Sequence, residues 1–326
     1  MSVLSPAGRV PSRERRYRHD AFLYDDDHHL VRVAAPFVRD GLSAGEPVVL
    51  AVAPSTAEVL RAAVGEHPLL HVLERPDASR ARTPAAITGL RRLAAEHAPE
   101  GAWLRLVGEV DFGATERDWL EWQRFESVVN EALADWPLWG LCLFDTRRLP
   151  RPLLDSALAT HPVLVRPDGV HAANARFVEP ATYVRSLPVP DEPLEATPPR
   201  LAAPDVSDFV GLRHAVAGEL AGAGAGGDLV EDVLLAVDEM VSNAVRHGAP
   251  PVSLRLWTAP DRIVCTIGDG GPGWDDPFAG YGPAHGDDLS RGGMGLWLAR
   301  QLCDHVDITS GAGGDGVAVR LTVRLG

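Results

Sequence analysis

The sequence predicts an α/β protein with two domains, a mostly parallel sheet in the first half and an antiparallel sheet covered by helices in the second. Three observations lead to this prediction. The chain has 326 residues, of which 45% are hydrophobic, enough to bury two cores. Six prolines within residues 187–204 favour an extended connector. The order of helical and strand patterns also differs between the two sides of this connector.

The first half alternates strand-like and helix-like segments. Apolar runs at residues 21–24, 47–53, 103–107 and 138–144 predict buried strands, and stretches with helical periodicity lie at 29–40, 55–65, 84–97 and 116–135. Such alternation is typical of a mostly parallel sheet with helices on its faces. We therefore expect a three-layer α/β domain over residues 19–185, after an arginine-rich, disordered tail at 1–18 and before a proline-rich linker at 186–204.

The second half, residues 205–326, predicts a two-layer α/β sandwich. Helices are expected at 205–220, 228–246 and 294–305, and strands at 252–257, 262–268, 306–310 and 317–324, the last two forming a hairpin. For the helix at 228–246, Asp228 and Glu231 have the spacing of a capping box, and Gly248 marks the end. Helices on one face of a largely antiparallel sheet are the simplest packing of this order.

The composition excludes several functions. The formal net charge is -14, and all 31 basic residues are arginine. Without lysine there is no P-loop lysine, no Schiff-base nucleophile and no lysine anchor for pyridoxal phosphate. The acidic balance argues against direct nucleic-acid binding. Because the sequence has neither a membrane span nor a signal peptide, we expect a cytoplasmic protein. The three cysteines form no metal-binding pattern and are expected to be core thiols.

Three motifs in the second half contain polar or charged residues that could bind a ligand. Glu239 and Asn243 are four residues apart and share one side of a helix, where a carboxylate and an amide oxygen can act together. Asp269 leaves a strand into the glycine-rich sequence GGPG. Arg291 precedes GGMGL at the start of a helix, where free N–H groups can bind an anion. Taken singly, these motifs also fit a solvated helix face, a turn and an ordinary helix start.

Together, in this order, the motifs DEMVSNAVRHG, DGGPG and SRGGMGLWLAR resemble the GHKL (Bergerat-fold) ATP-binding domains, and most of all their anti-sigma-factor serine kinase branch. The resemblance implies ATP and Mg²⁺ as cofactors. It implies Asn243 as the Mg²⁺ ligand and Glu239 as the general base. It also implies a binding role for a further set of residues: Asp269, with Gly271 and Gly273, at adenine, and Gly293, Met294, Gly295 and Leu296, with Arg291, near the phosphates.

The same resemblance implies a function. A protein of this branch sequesters a sigma factor and phosphorylates a serine or threonine on an anti-sigma-factor antagonist, and homodimerisation is expected. Two alternatives remain open. The domain could be a non-catalytic, ATP-dependent protein-binding module, or an atypical histidine kinase. For the second alternative, His214 lacks the acidic neighbour and the downstream Thr-Pro of a phospho-accepting histidine, and the segment before the domain is rich in proline.

The first half resembles the MEDS sensory domain, through motifs that include HDAFLY at 19–24, PFVRDGL at 36–42 and LCLFD at 141–145. The resemblance implies a sensory domain that modulates the ATP-binding domain. Five polar residues are candidates for a sensory pocket, although structural hydrogen bonding is the alternative: His19, Glu109, Glu126, Asn130 and Asp145. His19 and His161 are also conceivable metal ligands, but no tight local His/Cys pair supports them.

Overall fold

A computed structural model of the chain describes residues 16–73, 82–98, 102–282, 294–310 and 316–325. It divides into two compact units, each made of several chain segments. The first contains Met1–Arg75, Leu90–Val110 and Val129–Phe177, and the second contains Pro76–Gly89, Asp111–Val128 and Val178–Gly326. None of the helices in the described ranges combines the length and apolarity needed to cross a bilayer.

The first half of the chain alternates strands and helices, as its sequence pattern predicts. Its elements are β1 (Arg18–Tyr24), α1 (Asp27–Ser43), β2 (Val48–Ala51), α2 (Pro54–Val64), β3 (Leu70–Val72), α3 (Thr83–His97), β4 (Leu104–Gly108), α4 (Glu116–Ala132), β5 (Leu138–Asp145), α5 (Arg151–Thr160), β6 (Val163–Val165) and β7 (His171–Ala173). Over the described residues these strands form one sheet in the order β3-β2-β4-β5-β1-β6-β7. Every pair is parallel except β6–β7.

The second half forms an antiparallel sheet covered by helices. Its elements are α6 (Pro180–Ser186), β8 (Leu201–Ala203), α7 (Phe209–Gly222), α8 (Gly227–His247), β9 (Ser253–Thr258), β10 (Arg262–Asp269), α9 (Gly295–Leu302), β11 (His305–Ser310) and β12 (Val317–Arg324). The strand order is β11-β12-β10-β9-β8. The helix α8 contacts both α7 and α9, all three helices contact the sheet, and the apolar core lies between the helices and the sheet. The predicted α/β sandwich is confirmed.

The start of α8 differs from the prediction. The N-cap residue is Gly226, with no side-chain cap, so the proposed capping box of Asp228 and Glu231 is wrong. Asp228 instead lies in the first turn, where a carboxylate interacts favourably with the helix dipole. The helix ends at the C-cap Gly248, as predicted.

The proline-rich segment at 186–204 is bound to the antiparallel sheet along much of its length. Leu201–Ala203 forms the edge strand β8, which pairs with β9. Upstream of β8, Trp257 Nε1 donates a hydrogen bond of 2.9 Å to the carbonyl oxygen of Thr197. Glu195 accepts hydrogen bonds from Thr266 Oγ1 at 2.6 Å and from Arg320 at 2.9 Å. The segment predicted as a connector is therefore also part of the sheet's edge.

Candidate functional site

The helix α8 places the first motif at the border of the core. Its apolar stripe, which includes Val237, Met240, Val241 and Ala244, is buried in the core of the second unit. Glu239 and Asn243 are half-buried beside this stripe. Asn243 lines a cavity of about 440 Å³ that also reaches the ends of β10 and α9. Glu239 is adjacent to this cavity through its contact with the first residue of α9.

The start of α9 lies directly against the helix that carries Glu239 and Asn243. A Cβ atom added at Gly295 would lie 2.7 Å from Glu239 Oε2 and 3.0 Å from Asn243 Nδ2. A side chain at this position would require the Glu239 carboxylate to move, so glycine lets the backbone of α9 approach these two polar groups as they stand. The first and third sequence motifs therefore meet, although more than 50 residues separate them.

Asp269, the last residue of β10, is held in position by glycines. Its Oδ1 atom accepts a hydrogen bond of 2.7 Å from the backbone N–H of Gly271. A Cβ atom at Gly248 would lie 2.3 Å from Asp269 Cγ, and one at Gly271 would lie 2.6 Å from Asp269 Oδ1. The end of α8 and the turn after β10 thus pack tightly around one carboxylate, which faces the same cavity as Asn243.

The other walls of the cavity are largely apolar. Gly273 lies there in the left-handed region, with φ of +94°, which favours glycine. Sequence reasoning missed several wall residues, which include Met240, His247, Trp274, Phe278 and Ile308. A signal existed in the sequence WDDPF, where two aromatic residues stand in a loop of polar and turn-forming residues. Such a cavity, with a few polar groups on an apolar surface, is typical of a small-molecule site.

The segment that follows the aromatic residues is fixed to α9. Gly280 has φ of +78°, and a Cβ atom there would lie 2.7 Å from Leu296 Cγ. The guanidinium of Arg300 lies 4.5 Å from the ring centroid of Tyr281, and its Nε donates to the carbonyl oxygen of Ala279 at 3.2 Å. Met294 is the N-cap of α9 and Leu296 lines the cavity. Arg291 and Gly293 lie outside the described residues.

The candidate sensory residues of the first unit lie at different levels of its parallel sheet. Glu109 and Asp145 lie at the carboxyl ends of β4 and β5, where each is engaged locally. Glu109 Oε2 accepts from the N–H of Ala53 at 2.9 Å, and Asp145 is paired with Arg147 at 2.8 Å. Because His19 is near the amino end of β1, it lies about 16 Å from that edge along the strand. The structure thus separates His19 from this edge along the strand, and a sensory pocket formed by all five candidates stays a prediction.

Tyr24 lies at the same carboxyl edge as Glu109 and Asp145. Burial raises the pKa of Tyr24 to about 12, and the negative charges of Glu109 and Asp145 act in the same direction, against Arg147. The Arg147 guanidinium, through its hydrogen bonds, holds the pKa of Asp145 below its ordinary value although burial opposes this. These groups form a local structural network at the strand ends.

His19 and Asn130 form a second, buried group at the amino end of β1. Their side chains meet at 3.2 Å between His19 Nδ1 and Asn130 Oδ1. Burial lowers the pKa of His19 to about 4, although the hydrogen bond that its ring shares with the Oδ1 atom of Asn130 and the charge of Asp20 act in the opposite direction. Glu126 is buried one helical turn before Asn130 on α4. The structure thus brings together His19 and Asn130 from the predicted set.

Comparison with known protein families gives the class of both halves. Residues 202–323 match the family model described as the histidine kinase-like ATPase domain. Residues 18–162 match the model described as MEDS, the methanogen/methylotroph DcmR sensory domain. The protein therefore joins a MEDS domain to an ATPase domain of the histidine kinase-like class, and both resemblances found in the sequence are confirmed.

Similar individual proteins indicate a family within the class of histidine kinase-like ATPase domains. The serine-protein kinase RsbW of Bacillus velezensis is 33% identical over 134 residues, which are 37% of this chain and 82% of the relative. The RsbW of Bacillus subtilis is 31% identical over 137 residues, 38% of this chain and 84% of the relative. The chain belongs to the RsbW serine-protein kinase family. Among solved structures, a chain of the SiaB–SiaC complex from Pseudomonas aeruginosa is 15% identical, covering 40% of this chain and 94% of that chain, with a TM-score of 0.31.

Proposed function

We propose that the protein binds Mg-ATP in the cavity between α8, β10 and α9, and transfers the terminal phosphoryl group to a serine or threonine of an antagonist protein. The observation that supports this most is the contact of Gly295 with both Glu239 and Asn243, which brings the two polar groups to the start of α9. Asp269 lies at another wall of the same cavity. An adenine would bind at Asp269, between the apolar walls.

The residues near α9 fit the remaining groups of the ligand. Mg²⁺ prefers oxygen ligands, and Asn243 offers an amide oxygen beside the carboxylate of Glu239. When bound, the ion would neutralise part of the negative charge of the phosphates. The N–H groups at the start of α9 are suited to phosphate oxygens, because a helix N-terminus carries partial positive charge. Arg291 remains the proposed side-chain cation for the terminal phosphate.

In the proposed transfer, Glu239 orients the hydroxyl group of the antagonist and accepts its proton. The hydroxyl oxygen forms a bond to the terminal phosphorus while the bond from that phosphorus to the bridging oxygen of ADP breaks. Such a reaction depends on position and charge more than on covalent chemistry with the protein. The position of the half-buried Glu239 carboxylate close to Gly295 supports this role.

We further propose a regulatory role, which is based on the presence of an RsbW-type domain and a MEDS domain in one chain. The ATP-binding domain would hold a sigma factor in one state and phosphorylate the antagonist in another, and the MEDS domain would alter this balance on binding a signal. A homodimer and a cytoplasmic location are part of the same proposal. The domain limits proposed are 19–185 for the sensory domain and 205–326 for the ATP-binding domain.

The kinase proposal is tested with purified full-length protein, labelled ATP and candidate antagonists. Glu239→Gln is expected to keep ATP affinity within about twofold and to slow transfer by about 10²–10⁴-fold, because a general base is lost while the shape of the cavity stays. Acid-stable phosphoserine or phosphothreonine on the antagonist is the expected product.

The matched control is Glu231→Gln on the exposed face of the same helix, which should transfer at the rate of the unmodified protein. ATP binding without transfer to any antagonist would favour the non-catalytic binding module. An acid-labile label on the protein itself would favour the histidine-kinase alternative. Unchanged transfer by Glu239→Gln would remove Glu239 from the role of base.

A further inference from the structure

Near the amino end of β1, three side chains lie close together although they are far apart in the sequence. They are His19 on β1, Cys142 on β5 and His161, the residue that ends α5. Each offers one ligand atom, and these atoms all lie within 4.8 Å of one another. His19 and His161 are fully buried, and their ring centroids are 3.9 Å apart. Cys142 is half-buried.

Strand register explains how His19 and Cys142 meet. In the parallel pair β1–β5, His19 is opposite Gly140 and Ala21 is opposite Cys142. Residues two apart on a strand share a face, so His19 and Cys142 project from the same side of the sheet. A Cβ atom added at Gly140 would lie 3.9 Å from the His19 ring, so this residue of β5 lies directly beside the histidine. His161 reaches the group because it immediately precedes β6, which pairs with β1.

Hydrogen bonds fix which nitrogen of His161 can bind a metal. Its Nδ1 atom lies 2.9 Å from the carbonyl oxygen of Ala157. A carbonyl oxygen only accepts, so Nδ1 carries the proton and Nε2 keeps its lone pair.

The same argument applies to His19 through Asn130. The amide nitrogen Nδ2 of Asn130 donates to the carbonyl oxygen of Thr160 at 2.9 Å, which fixes the orientation of the amide. The Oδ1 atom of Asn130 therefore faces His19 and accepts from Nδ1 at 3.2 Å. In a neutral His19 ring this contact places the proton on Nδ1. Orientation of a histidine by an acceptor on its other nitrogen is a common feature of metal sites.

We propose that His19, Cys142 and His161 form a binding site for a transition-metal ion of the Zn²⁺ class, with Asn130 as a positioning residue. Two imidazoles and one thiolate are a borderline-soft ligand set that suits Zn²⁺. Tetrahedral Zn²⁺ with bonds of about 2.0–2.3 Å places its ligand atoms about 3.3–3.8 Å apart, and the ligand atoms here all lie within 4.8 Å of one another. On binding, the Cys142 thiol releases its proton to solvent and the imidazoles keep theirs on Nδ1.

The site is independent of the proposed kinase function, so its test needs no ATP and no partner. Full-length protein is freed of metal with a chelator and titrated with Zn²⁺ and, separately, with Co²⁺. We expect one equivalent per chain and, with Co²⁺, a thiolate-to-metal charge-transfer band in the near ultraviolet. Cys142→Ser should abolish the band, and His19→Gln should weaken metal binding by at least about 100-fold.

Asn130→Ala should weaken Zn²⁺ binding by about 10- to 100-fold while the Co²⁺ band persists at saturation, because only the orientation of His19 is lost. The matched control is His28→Gln, a histidine on the exposed side of α1, which should bind like the unmodified protein. Circular dichroism of each variant checks that it is folded. The proposal is overturned if the folded protein binds no stoichiometric metal, or if Cys142→Ser keeps both the affinity and the band.

Discussion

At the scale of single residues, the position of Asp269 depends on a glycine 21 residues earlier. Gly248 has ordinary backbone angles, with φ of -88°, so its requirement is one of space and not of conformation. A side chain at this position would displace the Asp269 carboxylate. The sequence showed Gly248 as a helix end, but it could not show the contact, because that depends on how α8 and β10 pack.

Gly248→Ala is therefore expected to weaken ATP binding. The added Cβ would lie 2.3 Å from Asp269 Cγ and 2.6 Å from the carbonyl oxygen of Ala244, so Asp269 must move. Loss of one charged hydrogen bond to the ligand costs about 1.5–3 kcal/mol, which corresponds to about 10- to 100-fold in affinity. Titration with a fluorescent ATP analogue measures this.

A glycine with free space around it serves as the control for this substitution. Gly218 is exposed in α7 and has no atom within 4 Å of its added Cβ. Gly218→Ala should leave nucleotide affinity unchanged and raise helix stability by about 0.5–1 kcal/mol. If Gly248→Ala binds the analogue like the unmodified protein, the proposed role of Asp269 in binding is contradicted.

At the scale of elements, long periodic segments were predictable and short strands were not. Every predicted strand and helix in both halves is present, since apolar periodicity extends over several turns or alternations in each. The strands β3, β6, β7 and β8 have three residues each, too few to show a period. The start of α8 was misplaced because Gly226 caps it without a side chain.

The close contact between α8 and α9 gives an element-scale prediction. Gly295→Ala should displace the Glu239 carboxylate or shift the start of α9, because the added Cβ would lie 2.7 Å from Glu239 Oε2 and 3.0 Å from Asn243 Nδ2. We expect phosphoryl transfer to fall by about 10- to 100-fold, since small misplacements of reacting groups have effects of this size. Transfer of label to the antagonist measures the rate. Gly227→Ala, in open space at the start of α8, should transfer normally; an equal rate in both variants would refute the proposed contact.

Asp307 on β11 links its strand to α4 and β12 within the second unit. Its Oδ2 atom accepts from Arg117 at 2.5 Å and from Arg320 at 2.9 Å. Burial opposes ionisation of this carboxyl group, but the charges of Arg117, Arg124 and Arg320 outweigh it and lower the pKa of Asp307. Hence the ion pairs stabilise the folded unit most fully above about pH 4, the ordinary carboxyl pKa.

Asp307→Asn should lower the free energy of unfolding by about 3–5 kcal/mol at pH 7, because it removes the buried carboxylate that Arg117 and Arg320 share. As pH falls through the lowered pKa, the unmodified protein also loses this charge, and the difference should shrink. Urea unfolding at pH 7 and below pH 4 measures both. Asp261→Asn, at an exposed turn, should change stability by less than about 0.5 kcal/mol. A difference independent of pH would contradict the assignment.

At the scale of the whole molecule, the compact units do not coincide with uninterrupted stretches of sequence. The second unit includes Pro76–Gly89 and Asp111–Val128 as well as the end of the chain. Sequence patterns predict elements and motifs, but they do not show which unit a helix joins. For the same reason the grouping of His19, Cys142 and His161 could not be found from spacing, since its members come from three separate elements.

A fragment of residues 187–326 should therefore be less stable than the same segment in the full chain. The fragment lacks Arg117 and Arg124, so Asp307 keeps only Arg320 of its three cationic neighbours. Hydrogen exchange of the β11 and β12 amides is expected to be at least about tenfold faster in the fragment, equal to about 1.4 kcal/mol of opening free energy. The amides of β9, which contacts neither arginine, are the internal reference. Equal protection of β11 and β12 in both proteins would rule out this contribution.

The attachment of the proline-rich segment to the sheet has a consequence for proteolysis. Its composition suggests an accessible connector, which proteases usually cut. Cleavage requires that several residues leave their partners and enter the protease in an extended form. Between residues 193 and 203 this would break the pairing of β8 with β9 and the hydrogen bonds to Thr197 and Glu195. The native protein should thus resist cutting there and become sensitive only once the edge of the sheet has opened.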